Sequence, residues 1–160
     1  MSVTIRDAAR GDVPVVLHFI KALAEYERLA HEVVATEADI ERELFGPSPK
    51  VFCQIAEVDG QPAGFALWYY TFSTFQGRHG IWLEDLFVNP DMRGHGVGKA
   101  LLADLAKRCV REGLGRYEWN VLDWNQPSID FYVSQGAVFL DDWRRCRVTG
   151  AALEKLGAAR

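Results

Sequence analysis

Two spacings of apolar residues run along the chain, and each switch between them marks an element. Residues 3–6 alternate as a short strand does. After Gly11-Asp12, Val13, Val16, Leu17, Ile20, Leu23 and Ala24 recur at helical spacing, with Asp12 placed to cap that helix. Thr36 and Asp39 form a capping-box pattern, opening a second helix that runs to about Leu44 and stops before Gly46-Pro47. Residues 51–58 and 63–70 are rich in β-formers and flank Asp59-Gly60, the pair that a two-residue hairpin turn favours. Polar residues 73–78 read as a turn into a third long strand, about 79–88.

Beyond Asn89-Pro90 and a glycine-rich loop, Val97, Leu101, Leu105 and Cys109 fall at four-residue steps, on one face of a helix ended by Gly113. Residues 117–122 predict a strand and 127–135 a short helix that opens on Pro127 and meets Gly136. Two closing strands, near 138–140 and 144–148, and a last helix over 151–156 complete the order. The pattern predicts an α/β (α+β) fold: a mixed, mostly antiparallel sheet of about seven strands flanked by about four helices. There is no repeat, linker or low-complexity stretch, so residues 1–160 read as a single domain.

Composition narrows the partners. Hydrophobic residues make up 49% and charged residues 25% of the 160, enough for one continuous core without a disulfide or metal. The net charge is −4 and Arg144-Arg145 is the longest basic run, whereas phosphate-backbone binding shows as a basic patch; nucleic acid is excluded as the main partner. No apolar run approaches the about 20 residues that span a bilayer, and residues 1–6 lack a signal core, so neither a membrane nor export is expected. Cys53, Cys109 and Cys146 are far apart and match no zinc pattern; they read as reduced thiols of a cytoplasmic protein. His18, His31, His79 and His95 show no metal-ligand spacing, so no metal is expected.

The chemistry-bearing segment is a strand, a turn, three alternating glycines and a helix start: Leu83 to Val88, Asn89-Pro90, then Arg93-Gly94-His95-Gly96-Val97-Gly98-Lys99. Glycines let backbone N–H groups converge, and a helix amino terminus carries about half a positive charge, so the segment suits a phosphate. It is not a P-loop: Gly94 and Gly98 enclose three residues, not four, and Ala100 follows Lys99. Nor is it the Gly-x-Gly-x-x-Gly of dinucleotide folds. The alternative reading is a glycine-rich turn that serves only a sharp chain reversal.

Strict alternation places Trp82, Glu84, Leu86 and Val88 on one face of the third long strand, and Ile81, Leu83, Asp85 and Phe87 on the other. Glu84 and Asp85 are then no carboxylate pair unless a bulge intervenes; each needs a partner or a place in a site, and Asp85 reads as a structural partner for a basic side chain. Asn125, Ser128 and Tyr132 are spaced i, i+3 and i+7, sharing a face if the helix reaches back to Asn125.

Taken together, these segments resemble the GNAT superfamily of acetyl-CoA-dependent N-acetyltransferases, whose pyrophosphate loop reads Arg/Gln-x-x-Gly-x-Gly/Ala. Leu83-Glu84-Asp85-Leu86-Phe87-Val88, the loop, Trp124-Asn125-Gln126-Pro127-Ser128-Ile129-Asp130-Phe131-Tyr132 with Gly136-Ala137, and Ile20-Lys21-Ala22-Leu23-Ala24-Glu25-Tyr26-Glu27 look like its diamine (spermidine/spermine) and thialysine branch. The resemblance implies the GNAT fold, acetyl-CoA as co-substrate and a small primary amine as acceptor, attacked in a ternary complex, with a homodimer as the assembly. It implies that Leu86, Phe87 and Val88 face the pantetheine arm and that Arg93, Gly94, His95, Gly96, Val97, Gly98 and Lys99 hold the pyrophosphate. Asn125, Ser128 and Tyr132 would complete the cofactor side. Tyr26, Glu27, Glu84, Glu118, Trp119, Asn120 and the pair Asp141-Asp142 correspond to the amine side.

Amide formation needs an amine that has lost its proton and an acid near the departing sulfur. Glu84 would receive the amine's proton or bind the cation first, and Tyr132 would protonate the thiolate; Tyr132 also reads as a packed aromatic, and Tyr26-Glu27 as a solvated helix end. One departure bears on the substrate. Polyamine acetyltransferases carry an acidic residue and a tryptophan in the turn where this chain has Ser73 and Phe75, which points to a shorter amine of the lysine, thialysine or diamine kind. A protein-amine acetyltransferase and a non-catalytic CoA-sensing module are the alternatives.

Overall fold

Five strands form one sheet in sequence order in the computed structural model, which describes residues 2–160. They are β1 (Val3–Asp7), β2 (Phe52–Val58), β3 (Gln61–Ser73), β4 (Arg78–Val88) and β5 (Tyr117–Trp119). The first four pair antiparallel and β5 joins β4 in parallel. The Asp59-Gly60 turn between β2 and β3 has both residues at positive φ (51° and 80°), as the right-handed twist of a tight hairpin requires.

A parallel neighbour needs a crossover, which α3 (Val97–Glu112) supplies; it stops at Gly113, in the left-handed conformation (φ 69°). Helices α1 (Val13–Tyr26) and α2 (Glu37–Phe45) pack on one face of the sheet. Their Val13, Val16, Phe19, Ile40 and Leu44 form one core with Cys53, Ile55, Phe65, Leu67 and Phe87 of the strands. Helix α3 buries Val97, Leu101, Leu102, Leu105 and Cys109. The Thr36/Asp39 capping box forms as expected. Asp12 stands at the start of α1, but its carboxylate serves Arg6 (2.7 and 2.9 Å) and the Ala9 N–H (2.6 Å) instead of capping the helix.

Residue contacts gather into two units, one reaching Leu122 and the other covering Asp123–Arg160. The second contains α4 (Gln126–Ser134) and α5 (Gly150–Gly157). The strands expected near 138–140 and 144–148 do not form, so the sheet has five strands rather than about seven. Alternating apolar residues make a strand only where another backbone takes the ladder bonds. Here Asp141-Asp142 favours a turn, closed by the Trp143 N–H donating to the Leu140 carbonyl (3.1 Å). Val138, Leu140 and Trp143 are left exposed.

Candidate active site

A single extra residue in β4 shapes the centre of the sheet. Leu67 pairs with Asp85 and Trp68 with Leu83, so Glu84 has no partner on β3: it is the extra residue of a β-bulge. Before the bulge, Leu83 lies opposite Trp68, on whose ring the Arg108 guanidinium of α3 stacks at 5.1 Å. After it, Asp85 lies opposite Leu67, which belongs to the α1/α2 core. The bulge thus turns Asp85 and Phe87 onto the face of Trp82 and Glu84, and sends Leu86 and Val88 to the α3 face. Strict alternation gave the reverse for residues 85–88, because it has no place for an inserted residue.

Pairing with β5 stops at the same point. The last paired residues are Leu83 and Trp119, so β5 is shorter than the 117–122 expected, and β4 continues to Val88 with no strand on that edge among the described residues. Leu86, Phe87 and Val88, the predicted pantetheine residues, lie along this open edge. Phe87 is buried in the core and its two neighbours are half-buried.

Directly beyond, Gly94 and Gly96 have φ of 84° and 77°, a region that costs residues with a Cβ about 1–2 kcal/mol. Gly96 precedes α3 without a side-chain cap, which leaves the N–H groups of Val97, Gly98 and Lys99 at the open end of the helix. Arg93 is fixed elsewhere. Its Nε donates to the Val88 carbonyl (3.2 Å), and its guanidinium lies over the rings of Tyr26 (5.2 Å) and Phe87 (5.9 Å). The side chain ties the loop to α1 and β4. His95 and Lys99 are exposed. An uncapped helix start, uncrowded Gly94 and Gly96 and an open strand edge fit the pyrophosphate and arm of acetyl-CoA.

Carboxylates gather on the other side of the bulge. Glu84 is exposed, and its Oε2 accepts hydrogen bonds from Trp82 Nε1 (2.9 Å) and the Tyr69 hydroxyl (3.5 Å). Tyr69 and Trp82 were missed as neighbours of the site; the i, i+2 spacing of Trp82 and Glu84 was the available signal. Burial, then Glu84, then Glu27 push the Asp85 carboxyl up to about 7. Burial and Glu84 also push Glu27 up. The charged neighbours acting on Asp85 are carboxylates, so it is not the partner of a basic side chain that sequence reasoning made it. Glu27 terminates α1, held by the following turn: Arg28 has a left-handed φ of 62° and the Leu29 N–H bonds the Ala24 carbonyl (2.7 Å).

Sequence matches complete the description. A model of the acetyltransferase (GNAT) family matches residues 18–137. The chain belongs to the GNAT family. Members take the acetyl group from acetyl-CoA, so this chain is an acetyl-CoA-dependent acetyltransferase. It is similar to the thialysine N-epsilon-acetyltransferase of Sus scrofa, 36% identical over 97% of both chains. The L-ornithine N5-acetyltransferase of Arabidopsis thaliana is 33% identical, over 95% of this chain and 86% of the relative. Among solved structures, an integron cassette protein from V. cholerae superposes with a TM-score of 0.81 at 26% identity, covering 99% of each chain.

Other predicted GNAT site residues lie on β5, just past it, and in the second unit. Glu118, opposite Trp82 in the β4–β5 ladder, lines a small cleft of about 40 Å³ with Arg78, His79 and Arg116, near the start of β4. Trp119 packs edge-on against Tyr117 at 5.0 Å, and Asn120 is exposed just past β5.

In the second unit Asn125 is the N-cap of α4, its carboxamide oxygen accepting the Ser128 N–H (3.4 Å). Helix α4 starts one residue after it, so the shared helical face comprises Ser128 and Tyr132, while Asn125 works as the cap. Tyr132 is half-buried with its ring 5.5 Å from that of Phe131. Asp141 and Asp142 sit exposed in a turn. No group of three or more His, Cys, Asp or Glu among the described residues could hold a metal, and no described helix is long and apolar enough to cross a membrane.

Proposed function

We propose that this acetyltransferase modifies a primary amine on a small molecule of the lysine-like kind: thialysine, lysine, ornithine or a short diamine. The observation that carries the reading is the convergence of Glu27, Glu84 and Asp85 beside the open edge of β4. A compact anionic group recognises one ammonium, and the relatives named for thialysine and ornithine act on amino acids with a side-chain amine. Ser73 and Phe75 at the β3–β4 turn add no further acid to hold a long polycation.

In this reading acetyl-CoA supplies an activated acetyl group. Backbone N–H groups of residues 93–99 hold its pyrophosphate, the edge of Leu86, Phe87 and Val88 orients its arm, and Asn125 and Ser128 are assigned to the cofactor too. Glu84 binds the ammonium, flanked by Tyr26 and Glu27. Tyr132 donates a proton to the leaving sulfur. Glu118, Trp119, Asn120 and Asp142 remain amine-side residues in the proposal.

Release of CoA thiol is expected to be fastest with thialysine, lysine or ornithine, and at least tenfold slower in kcat/KM with spermine and with a lysine-containing peptide. A preference for spermine would overturn the short-amine assignment, and a preference for the peptide would make this a protein acetyltransferase.

The family match crosses from one compact unit into the other, which supports one functional domain over residues 1–160. The exposed apolar residues of the second unit, Trp143 (79%) and Leu156 (62%) among them, support a homodimer. Sedimentation at micromolar concentration is expected to give twice the chain mass of 18.0 kDa; a monomer would refute it. The unpaired cysteines support a cytoplasmic setting.

A further inference from the structure

We propose that Asp85 takes the proton from the bound ammonium, while Glu84 serves as the fixed negative charge that holds the cation. The inference rests on the amine-acetyltransferase reading above and assigns separate tasks to two adjacent carboxylates that the bulge has turned onto one face.

Their surroundings differ in kind. Glu84 is exposed and receives the Trp82 indole N–H and the Tyr69 hydroxyl on one oxygen, which fixes its carboxylate in place as an acceptor. Asp85 is drawn in beside Leu67 and Phe87, next to the core. The charged groups that act on it directly are carboxylates, Glu84 on its own strand and Glu27 at the end of α1. The Cys53 thiol faces it from β2, with the Arg6–Asp12 ion pair beyond that thiol. Arg93 is engaged with Tyr26, Phe87 and the Val88 carbonyl.

A primary ammonium has a pKa of about 10.4, so a carboxylate of ordinary acidity would take its proton against a gap of about six units. Asp85, held at about 7, narrows that gap to about three units and still ionises at neutral pH. An N–H bond of the ammonium breaks as an O–H bond forms on Asp85. The freed nitrogen lone pair bonds to the thioester carbonyl carbon, and the C–S bond breaks with its electron pair going to sulfur. The sulfur takes a proton from Tyr132, the new C–N nitrogen sheds its second proton through water to the Tyr132 oxygen, and Asp85 returns its own to water as product leaves.

The test is the pH profile of kcat/KM for the preferred amine, on wild type, Asp85→Asn, Asp85→Glu and Glu84→Gln. Wild type should rise about tenfold per pH unit and level off near pH 7. Asp85→Asn should lose about 10- to 100-fold at pH 7.5, with residual activity that keeps climbing with the free amine toward its own pKa. Asp85→Glu should restore a limb, and Glu84→Gln should raise KM and keep the limb but move it to lower pH, because one of the charges that raises Asp85 is gone.

A second readout does not depend on turnover. The raised carboxyl binds an extra proton in the folded state between about pH 4 and 7, so the wild type loses stability as pH rises through that window. Asp85→Asn should therefore melt about 3–8 °C higher than wild type at pH 8 and at the same temperature at pH 4. A limb near 7 that survives in Asp85→Asn, or a limb lost altogether in Glu84→Gln alone, would assign the base to Glu84 and overturn the proposal. Wild type that binds acetyl-CoA but acetylates no amine would overturn the parent reading instead, and is a separate result.

Discussion

Gly96→Val is expected to weaken acetyl-CoA binding at least about 100-fold, measured by calorimetry, while the protein stays folded at assay temperature. Position 96 has a φ of 77° and stands immediately before α3. A Cβ placed there meets no protein atom within 4 Å, so the obstacle is the backbone conformation and not crowding within the chain. A β-branched residue pays about 1–2 kcal/mol or more to stay left-handed, and relaxes by rotating the N–H groups that the loop must aim at one point. Its methyl groups also project into the open space before the helix, where the phosphates are to sit. Loss of aim and of room together amount to about 3 kcal/mol, which is about two orders of magnitude in affinity. The strain alone lowers the melting temperature by only about 3–6 °C. Unchanged affinity would mean that the loop reverses the chain and binds nothing.

Tyr132→Phe is expected to lower kcat about 100- to 1000-fold while leaving acetyl-CoA affinity within about twofold. The substitution removes one hydroxyl and keeps the ring that neighbours Phe131 at 5.5 Å, so α4 and its Asn125 cap are untouched. A thiolate with a conjugate acid near 8.5 is a far better leaving group when a proton arrives as the C–S bond breaks. Because the hydroxyl acts at that step and not in ground-state binding, the loss belongs in kcat. Normal turnover by Tyr132→Phe would leave the residue as a packed aromatic only.

Both variants act on features legible in the sequence, and the reasons are local. Glycines with unusual backbone angles, Asp-Gly turns, capping boxes and four-residue apolar steps are written in adjacent letters, so α1, α2, α3, the β2–β3 hairpin and the loop at 93–99 were all readable. Glu84 stands out in the sequence because a charge among apolar strand residues needs a reason. The side of the sheet that Asp85 takes does not. Which way it points depends on one unpaired residue, and pairing register is set by the partner strand and not by the segment itself. Residues 138–148 failed for a related cause: they carry strand-like letters, but a ladder needs a second backbone. Arg93 shows a third limit. The family motif implies a main-chain N–H at the phosphates and says nothing of the side chain: only coordinates reveal that its guanidinium lies over Tyr26, a residue 67 positions earlier in the chain.

The bulge at Glu84 sets a reading frame for everything downstream on β4. With the extra residue present, the acidic and aromatic letters at 85 and 87 are read on the α1 side and the aliphatic letters at 86 and 88 on the α3 side. Removing one residue between Leu83 and Asp85 would restore strict alternation and exchange the two sets in one step. Phe87 would leave the core it shares with Phe19 and Phe65, and Val88 would lose its place beside Gly98 at the start of α3. Substitutions in this strand are therefore a graded matter, but a frameshift of one residue is all-or-none. The surface turn at 74–77, outside that frame, is where the chain can change length without rewriting its centre.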